Sequence, residues 1–331
     1  VARAAAIGQA ELTSQSASGV TRVTGKRIDL EFVTPPGAAE SQLSTAGVSE
    51  QARVESVPAA QQGRPPQETR VLTAEFVKLT MMPGGEEVQT IETASAGRLE
   101  LLPQQPGQWK RALTAERIVA QYAPGSRLEM LRAFGKIHLR SDPPAGTRAA
   151  APRLSWSDDL QSFLDPETRQ MRELRQWSNF RDQAGPRQAR AAAARFDVPG
   201  DRIYLDNGAR VWDQSTQTEA SFMVLNQRED KFQAEGRVTS SQAPQAGRPA
   251  AREALFSSDR PVHAVAARMD SEQGNRVVRY RGGARLWQEG SSVQAEEIDL
   301  DRASKALAAR QRVESVLVEE DKKAKKSRLV R

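Results

Sequence analysis

The fold is decided by residues 280–300, which read YRGGARLWQEGSSVQAEEIDL. Tyr280, Ala284 and Leu286 fall on one parity of this stretch, whereas polar residues such as Arg285 fall on the other. An alternation with a period of two predicts a half-buried β-strand. The turn-forming E-G-S-S that follows, and the second apolar segment after it, predict a hairpin.

A repeated unit runs along the chain: a small residue, then apolar residues three and five positions later. Two copies follow a strand that reads G-A-R-[V/L]-W, at 208–212 and 283–287, and these copies begin at Ala220 and Ala295. Weaker copies begin at Gly25, Ala74, Ala115, Ala191 and Ala264, the last with Ala267 and Met269 as its apolar pair. After most copies a Gly opens a further strand, so we predict a repeated antiparallel β fold.

The spacing inside the unit predicts the shape of each strand. The small residue and the first apolar residue are three positions apart, which would place them on opposite faces of a straight strand. Either the small residue faces outward, or the strand bends or bulges between the two. A bend in every repeat would fold each strand into a V, with the small residue where the two walls meet.

Length and composition limit the class of protein. The 331 residues suit two domains or one long repeat array, and aromatic residues are only 5%. A thin core of Val, Ile, Leu and Ala is expected. The absence of cysteine excludes disulfides and thiolate metal sites, and no apolar run approaches the ~20 residues of a membrane-spanning helix. Because the sequence begins with Val1 rather than Met, we expect that a signal peptide or anchor was removed.

The net charge of +6 raises the question of nucleic acid. The arginines stand singly at outward strand positions, such as Arg210, Arg237, Arg281 and Arg285, where they are solvated and discourage edge-to-edge pairing. There is no basic stripe interleaved with aromatic residues. We therefore expect no nucleic-acid partner, and a polyanion-binding module is the weakest interpretation.

Composition and repeat quality predict the domain boundaries. The expected segments are a loosely ordered N-terminal segment at 1–20, a first β-jellyroll at 21–140, a linker at 141–153, a second jellyroll at 154–318 with an aromatic-rich insertion at 154–190, and a basic tail or truncated repeat at 319–331. Within the insertion, Asp165-Pro166-Glu167 could open a short helix that runs to about Trp177, or the segment could be strands with a long insertion.

No catalytic, metal or cofactor site is predicted. His138 and His263 are far apart in sequence, and neither has a neighbour at metal-ligand spacing. The segment 19–26 differs from a phosphate loop in its glycine spacing. The acid pairs 158–159 and 296–297 are explained by a turn and a solvated strand face, so we expect a protein that is not an enzyme.

The run Y-x-G-x-A-x-L-W-Q, followed by V-x-A-E-x-I-x-L-D, resembles the OstA-like repeat of the LptA and LptC family of lipopolysaccharide-transport proteins. The resemblance is closest over 276–316, good over 202–241, weaker over 23–140 and absent over 141–190. It implies an all-β fold in which antiparallel strands form a V-shaped β-jellyroll trough, here as two tandem halves. The length, the Pro-rich loops and the aromatic segment depart from the family pattern.

The resemblance also implies a function. Such a protein is periplasmic, binds the acyl chains of lipopolysaccharide (lipid A) in its trough, and bridges the inner to the outer membrane during outer-membrane assembly. It would join other OstA-like jellyroll proteins, or copies of itself end to end, through open strand edges.

The inward parity of the two best repeats predicts which residues line such a trough. The candidates are Val211, Met223, Leu225, Val238, Leu286, Val293, Ile298, Leu300 and Val313. The alternative is that these residues pack on each other as a closed core. The protein would then be a structural or adhesive exported β-solenoid without a lipid ligand.

Overall fold

The computed structural model describes residues 2–16, 19–60, 67–144, 151–168, 170–244, 256, 260–304, 306–321 and 326–330. The chain divides into two compact units, unit 1 (Val1–Gly185) and unit 2 (Pro186–Arg331). The described residues form twenty-one β-strands and no helix. The strand pairings are antiparallel in both units, so the predicted all-β fold is confirmed.

Unit 1 is a sequence of antiparallel neighbours. Its strands are β1 (Arg3–Ser16), β2 (Gly19–Val33), β3 (Gln42–Pro58), β4 (Thr69–Met81), β5 (Val88–Thr93), β6 (Gly97–Leu102), β7 (Lys110–Ala115), β8 (Arg117–Ala123), β9 (Arg127–Asp142), β10 (Arg153–Leu164) and β11 (Met171–Ala184). Strand β4 pairs with both β5 and β6, and β9 pairs with both β7 and β8. Each of these short pairs therefore takes the place of one long strand.

Unit 2 repeats the same plan. Its strands are β12 (Arg187–Asp197), β13 (Arg202–Trp212), β14 (Thr216–Asn226), β15 (Lys231–Gln242), β16 (Val262–Glu272), β17 (Val277–Gln288), β18 (Ser291–Asp301), β19 (Ala306–Arg310), β20 (Glu314–Asp321) and β21 (Lys326–Val330). Each strand from β12 to β18 pairs with the next along the chain. Strand β18 then pairs with both β19 and β20.

Every long strand of unit 2 changes register near its middle. The shifts lie at Arg190/Ala193, Asp206/Ala209, Glu219/Phe222, Glu235/Val238, Val265/Arg268 and Arg281/Ala284. Unit 1 has the same feature, for example at Thr24/Arg27 and Ser49/Ala52. A bulge at the same position of successive strands bends the whole sheet there. We call this bend the corner.

Alternate strands make the corner with two consecutive residues of positive φ. The pairs are Glu50–Gln51, Gly135–Lys136, Ser178–Asn179, Asn207–Gly208, Gly236–Arg237, Gly282–Gly283 and Gln311–Arg312. In the left-handed region Gly and Asn are favoured, which explains the Gly that recurs in the sequence pattern. After the last repeat the corner falls at Gln311–Arg312, where no Gly is present.

The small residue of each repeat lies on the inner side of the corner. Ala220 is 7% exposed, and Met223, three positions later, is fully buried. Ala295 and Ile298 repeat this arrangement. The predicted bend between the two positions is therefore confirmed. In the copy that begins at Ala264, Ala267, predicted as the first residue of the apolar pair, is exposed, and the small buried residue three positions before Met269 is Ala266.

The corner divides each unit into two walls. In unit 2, wall A consists of 188–190, 209–212, 216–220, 238–242, 262–266, 284–288, 291–295 and 314–316, and wall B of 193–197, 202–206, 222–226, 231–235, 268–272, 277–281, 297–301 and 306–310. Unit 1 is divided in the same way, with β6, β7 and the second half of β9 in its wall A and β5, β8 and the first half of β9 in its wall B.

The two walls of unit 1 are joined by a buried polar group. Gln176, in wall B, is fully buried. Its side-chain oxygen accepts a hydrogen bond of 2.9 Å from Ser155 Oγ, and its Nε2 donates one of 3.2 Å to Ser157 Oγ, both in wall A. Since a buried amide must be satisfied, this network fixes the separation of the walls at the β10–β11 end.

The N-terminal segment is more ordered than composition predicts. Residues 1–20 were expected to be loose, yet β1 pairs with β2 from Arg3 opposite Glu31 to Ser16 opposite Gly19. Most side chains of β1 are exposed, so the segment has no apolar period. Backbone hydrogen bonds to β2 hold it, and these do not depend on residue type.

Of the two alternatives predicted for the segment after Asp165, the helix is wrong and strands are present. Asp165 Oδ1 accepts hydrogen bonds from the backbone N of Glu167 and of Thr168, at 3.0 and 2.7 Å, and this turn leads directly into β11. The same local signal can start a helix or close a hairpin. Here pairing of β11 with β10 decides for the hairpin, so the aromatic segment 154–190 contains regular strands rather than an insertion.

The expected linker 141–153 does not separate the two units. Arg153 of β10 lies opposite Ser141 of β9, so the segment connects neighbouring strands of unit 1, and the division falls at Gly185/Pro186. Residues 145–150 lie outside the described residues. The last corner separates β19, which ends at Arg310, from β20, which begins at Glu314. The expected tail contains β21, which pairs with β20.

The corner predicts different costs for two adjacent glycines. Gly282 and Gly283 both have positive φ, but a Cβ on Gly282 would lie 2.7 Å from the Ala267 Cβ, whereas one on Gly283 has open space around it. We expect Gly283→Ala to lower the free energy of unfolding by about 1 kcal/mol, through backbone strain alone. Gly282→Ala should lower the free energy of unfolding by about 1–3 kcal/mol more, because its methyl group also meets Ala267. Urea unfolding of both variants tests this, and equal costs would contradict it.

The Gln176 network predicts that two substitutions in β11 differ in their effect on stability. Gln176→Ala leaves Ser155 without its acceptor and should lower the unfolding free energy by about 1–3 kcal/mol. Gln183→Ala, an exposed position of the same strand, is the matched control and should change it by less than about 0.5 kcal/mol. Chemical denaturation measures both, and a neutral Gln176→Ala would show that the network does not stabilise the unit.

Candidate functional site

Unit 2 contains a cleft between the inner faces of its two walls. Its volume is about 350 Å³. Its lining is mixed, with polar residues such as Thr218, Ser241 and Ser271 beside the apolar residues Val211, Leu225, Phe232, Met269, Leu286 and Leu300. The lining comes from both walls, so the cleft is the part of the V that side chains leave unfilled.

The structure places most of the predicted lining residues on the inner face. Val211, Leu225, Leu286 and Leu300 border the cleft. The other inward residues are buried but do not border it, and they are Met223, Val238, Val293 and Ile298. Val313 is 52% exposed and lies between β19 and β20, so it does not share this face.

A hydrogen bond crosses the cleft. Tyr280 in wall B and Ser240 in wall A share a hydrogen bond of 2.7 Å between their hydroxyl groups. Burial raises the pKa of Tyr280, and the hydrogen bond with Ser240 opposes this only in part. The phenol is therefore neutral at physiological pH and acts as a polar spacer between two apolar walls.

The mouth of the cleft carries charged groups on both walls. Asp213 lies in the turn between β13 and β14, and Arg302 lies in the turn that follows β18. Burial alone would raise the pKa of Asp213, but hydrogen bonds from Ser215 and Thr216 outweigh it and the pKa is lowered. Burial lowers the pKa of Arg302, and Tyr280 and Asp213 oppose this shift. The sequence pattern did not single out either residue, because both lie in turns between the repeated strands.

Unit 1 encloses much less space between its walls. Its internal pocket has a volume of about 40 Å³ and is lined by residues that include Tyr122, Arg70 and Ile91. Burial raises the pKa of Tyr122, and the nearby Arg70 opposes the shift. Each unit thus holds a tyrosine with a raised pKa near an arginine, and of these two internal pockets the one in unit 2 is the larger.

The outer face carries the charge of the protein largely as ion pairs. Arginines pair with acids two residues further along the same strand: Arg27 with Asp29 at 2.7 Å, Arg53 with Glu55 at 2.9 Å, Arg140 with Asp142 at 2.7 Å and Arg268 with Asp270 at 2.9 Å. Because side chains two apart share a strand face, this spacing follows from the β-structure. The paired acids reduce the positive potential that a polyanion would meet.

Each histidine lies opposite a tryptophan of the neighbouring strand. His138 stacks on Trp156 and His263 on Trp287, each with ring centroids 5.4 Å apart. Burial, with nearby arginines, lowers the pKa of His138. Both histidines are half-buried strand residues.

The adjacent acid pairs lie at the corner and bind neighbouring polar groups. Asp158 accepts a hydrogen bond from Asn179, Asp159 accepts one from Ser178, Glu296 pairs with Arg312, and Glu297 pairs with Arg281. Among the described residues, no group of three His, Cys, Asp or Glu side chains could hold a metal ion. Over the same part of the chain, no helix is long and apolar enough to cross a membrane.

The hydrogen bond across the cleft can be measured. Tyr280→Phe and Ser240→Ala should each destabilise unit 2, and a double-mutant cycle should give a coupling energy of about 1 kcal/mol. Tyr204→Phe on the outer face of β13 is the control, with an expected change below about 0.5 kcal/mol. Additive effects of Tyr280→Phe and Ser240→Ala would mean that the walls are not joined here.

Comparison with known proteins gives little further information. No protein-family model and no curated protein matches the chain. Among solved structures, the chain is similar to LptH of Pseudomonas aeruginosa, the LptA-homologous periplasmic component of its lipopolysaccharide transport device. The sequences are 17% identical and the TM-score is 0.34, with 40% of this chain and 94% of that chain covered.

Proposed function

We propose that the protein is a non-enzymatic periplasmic lipid-transfer protein that holds acyl chains of lipopolysaccharide between its walls. The observation that carries the proposal is the cleft of about 350 Å³ in unit 2, bordered by four of the apolar residues that the sequence assigned to a trough. Burial of an alkyl chain there is favourable by about 0.8 kcal/mol per methylene group.

The bent strands explain how such a site opens. A closed sandwich must fill the space between its sheets with side chains. Here the continuous backbone joins the two walls only at the corner, and away from the corner they are linked through side chains, as by the hydrogen bond of Tyr280 with Ser240. A lipid chain can therefore enter from the mouth without breaking the strand pairing.

A free sheet edge supports the proposed partners. Strand β1 pairs with β2 on one side, and no described strand pairs with its other side. An exposed edge can accept a further strand from another protein. We propose that other jellyroll proteins of a bridge between the inner and outer membranes, or further copies of this chain, join through such edges.

The second candidate function is a structural or adhesive exported β-solenoid with a closed core. The small pocket of unit 1, about 40 Å³, favours this alternative for that half of the chain. The two candidates differ in one property, which is whether the interior of unit 2 admits a lipid.

Site-specific crosslinking distinguishes them. A photo-reactive residue at Leu300 or Leu225, which border the cleft, should form adducts with lipopolysaccharide. The same group at Arg285, on the exposed face of β17, should not. Adducts are read by mass shift and by lipid A staining.

The opposite result has a clear meaning. If neither inner position reacts while the protein remains folded, the core is closed to lipid and the solenoid function is correct. Equal labelling at Arg285 would indicate non-specific adsorption to the surface and would also count against a lipid trough.

A further inference from the structure

Arg302 is a cation that borders the cleft of unit 2. Its backbone N donates a hydrogen bond of 2.9 Å to the carbonyl of Arg276. Its side chain is half-buried and borders the cleft. Within the described residues, its guanidinium group forms no ion pair and no side-chain hydrogen bond.

The cleft is also bordered by four other charged residues, which are Arg187, Asp213, Asp230 and Lys231. Asp213 Oδ1 accepts hydrogen bonds from the backbone N of Ser215 and of Thr216, each at 2.7 Å. Lys231 pairs with Glu229 at 2.8 Å. The charge of Asp213 also acts on Arg302 and opposes the lowering of its pKa by burial, but no ion pair joins these two side chains.

The turn holds Arg302 in a defined place. Asp301 Oδ1 accepts hydrogen bonds from the backbone N of Ala303 at 2.8 Å and of Ser304 at 3.2 Å. The turn is thereby fixed on both sides of Arg302, through Asp301 and through the contact with Arg276. A guanidinium presented from a fixed turn loses less freedom when it binds an anion.

The chemistry of the site combines two requirements. The inner part is apolar, with Leu225, Met269 and Leu300 on its lining. The mouth holds a partly desolvated cation, and the nearby Asp213 offsets only part of the effect of burial on it. Guanidinium groups bind carboxylates and phosphates through paired hydrogen bonds.

We propose that the cleft of unit 2 binds one alkyl chain of an anionic amphiphile, with a carboxylate or phosphate head group on Arg302. The volume of about 350 Å³ lies near the lower end of the ~300–1,000 Å³ that small-molecule sites span. It suits a single chain rather than all the chains of a large lipid at once. This inference rests on the proposed function and defines where a chain and its head group are held.

Binding of four simple probes tests the proposal. Dodecanoate and dodecyl phosphate carry the two anionic head groups on the same chain, dodecyl maltoside is neutral, and inorganic phosphate has no chain. Titration calorimetry of the full chain, below the micelle concentration of each probe, should detect the two anionic amphiphiles and weaker binding of the maltoside. Whichever of the two anions binds more tightly identifies the head group as carboxylate or phosphate.

Variants of Arg302 separate head-group recognition from chain burial. Arg302→Gln should weaken the binding of both anionic amphiphiles about tenfold or more and leave the binding of dodecyl maltoside unchanged. Arg302→Lys, which keeps the positive charge, should retain part of the affinity for the anions. Arg285→Gln removes the same charge from the exposed face of β17 and should change nothing. Thermal unfolding confirms that each variant is folded.

The outcomes distinguish the two proposals. If the maltoside binds as tightly as the anions, or if Arg302→Gln affects all amphiphiles equally, the head-group assignment is overturned while the lipid trough stands. If inorganic phosphate alone binds as tightly as dodecyl phosphate, the alkyl chain plays no part and the amphiphile site is overturned. If no amphiphile binds, the proposed function fails as well.

Discussion

The structure depends on one constraint, which is that successive strands bend at the same position while their backbone hydrogen bonds continue on both sides. Alternate strands turn through two left-handed residues, as at Asn207–Gly208, and the strands between them carry a small inward residue, as at Ala220. A larger side chain at the inner corner would force the walls apart. The repeat therefore requires a left-handed backbone at the corner of one strand and a small side chain at the corner of the next strand.

The amount of space between the walls depends on side chains that lie away from the corner. In unit 1 a fully buried Gln176 bridges the walls, and the internal pocket measured there is small. In unit 2 the corresponding link is the hydrogen bond of Tyr280 with Ser240, which spans the walls and leaves a cleft. The same bent framework can thus be nearly filled or partly open, because the corner alone does not determine the width of the mouth.

The charges are distributed according to the same geometry. On the outer face, arginines find acids two positions along the same strand, as Arg268 does with Asp270, so that much of the charge is paired locally. A residue in a turn at the mouth has no acid two positions along on the same strand face, so it lacks this kind of local ion pair. Arg302 consequently faces the cleft with Asp213 nearby but without an ion pair among the described residues, and this makes the mouth the place where an anion would be recognised.

The sequence by itself determined the all-β class, the inward parity of residues such as Leu286, and the corner, because alternation and an odd spacing are local properties of a strand. It did not determine that 3–16 form a strand, that the turn at Asp165 closes a hairpin, or that β9 and β10 pair across 141–153. Those features rest on backbone hydrogen bonds between strands, which composition does not record. The cleft and the unpaired Arg302 were likewise decided by the tertiary structure, because only the folded walls bring together turns that are distant in sequence.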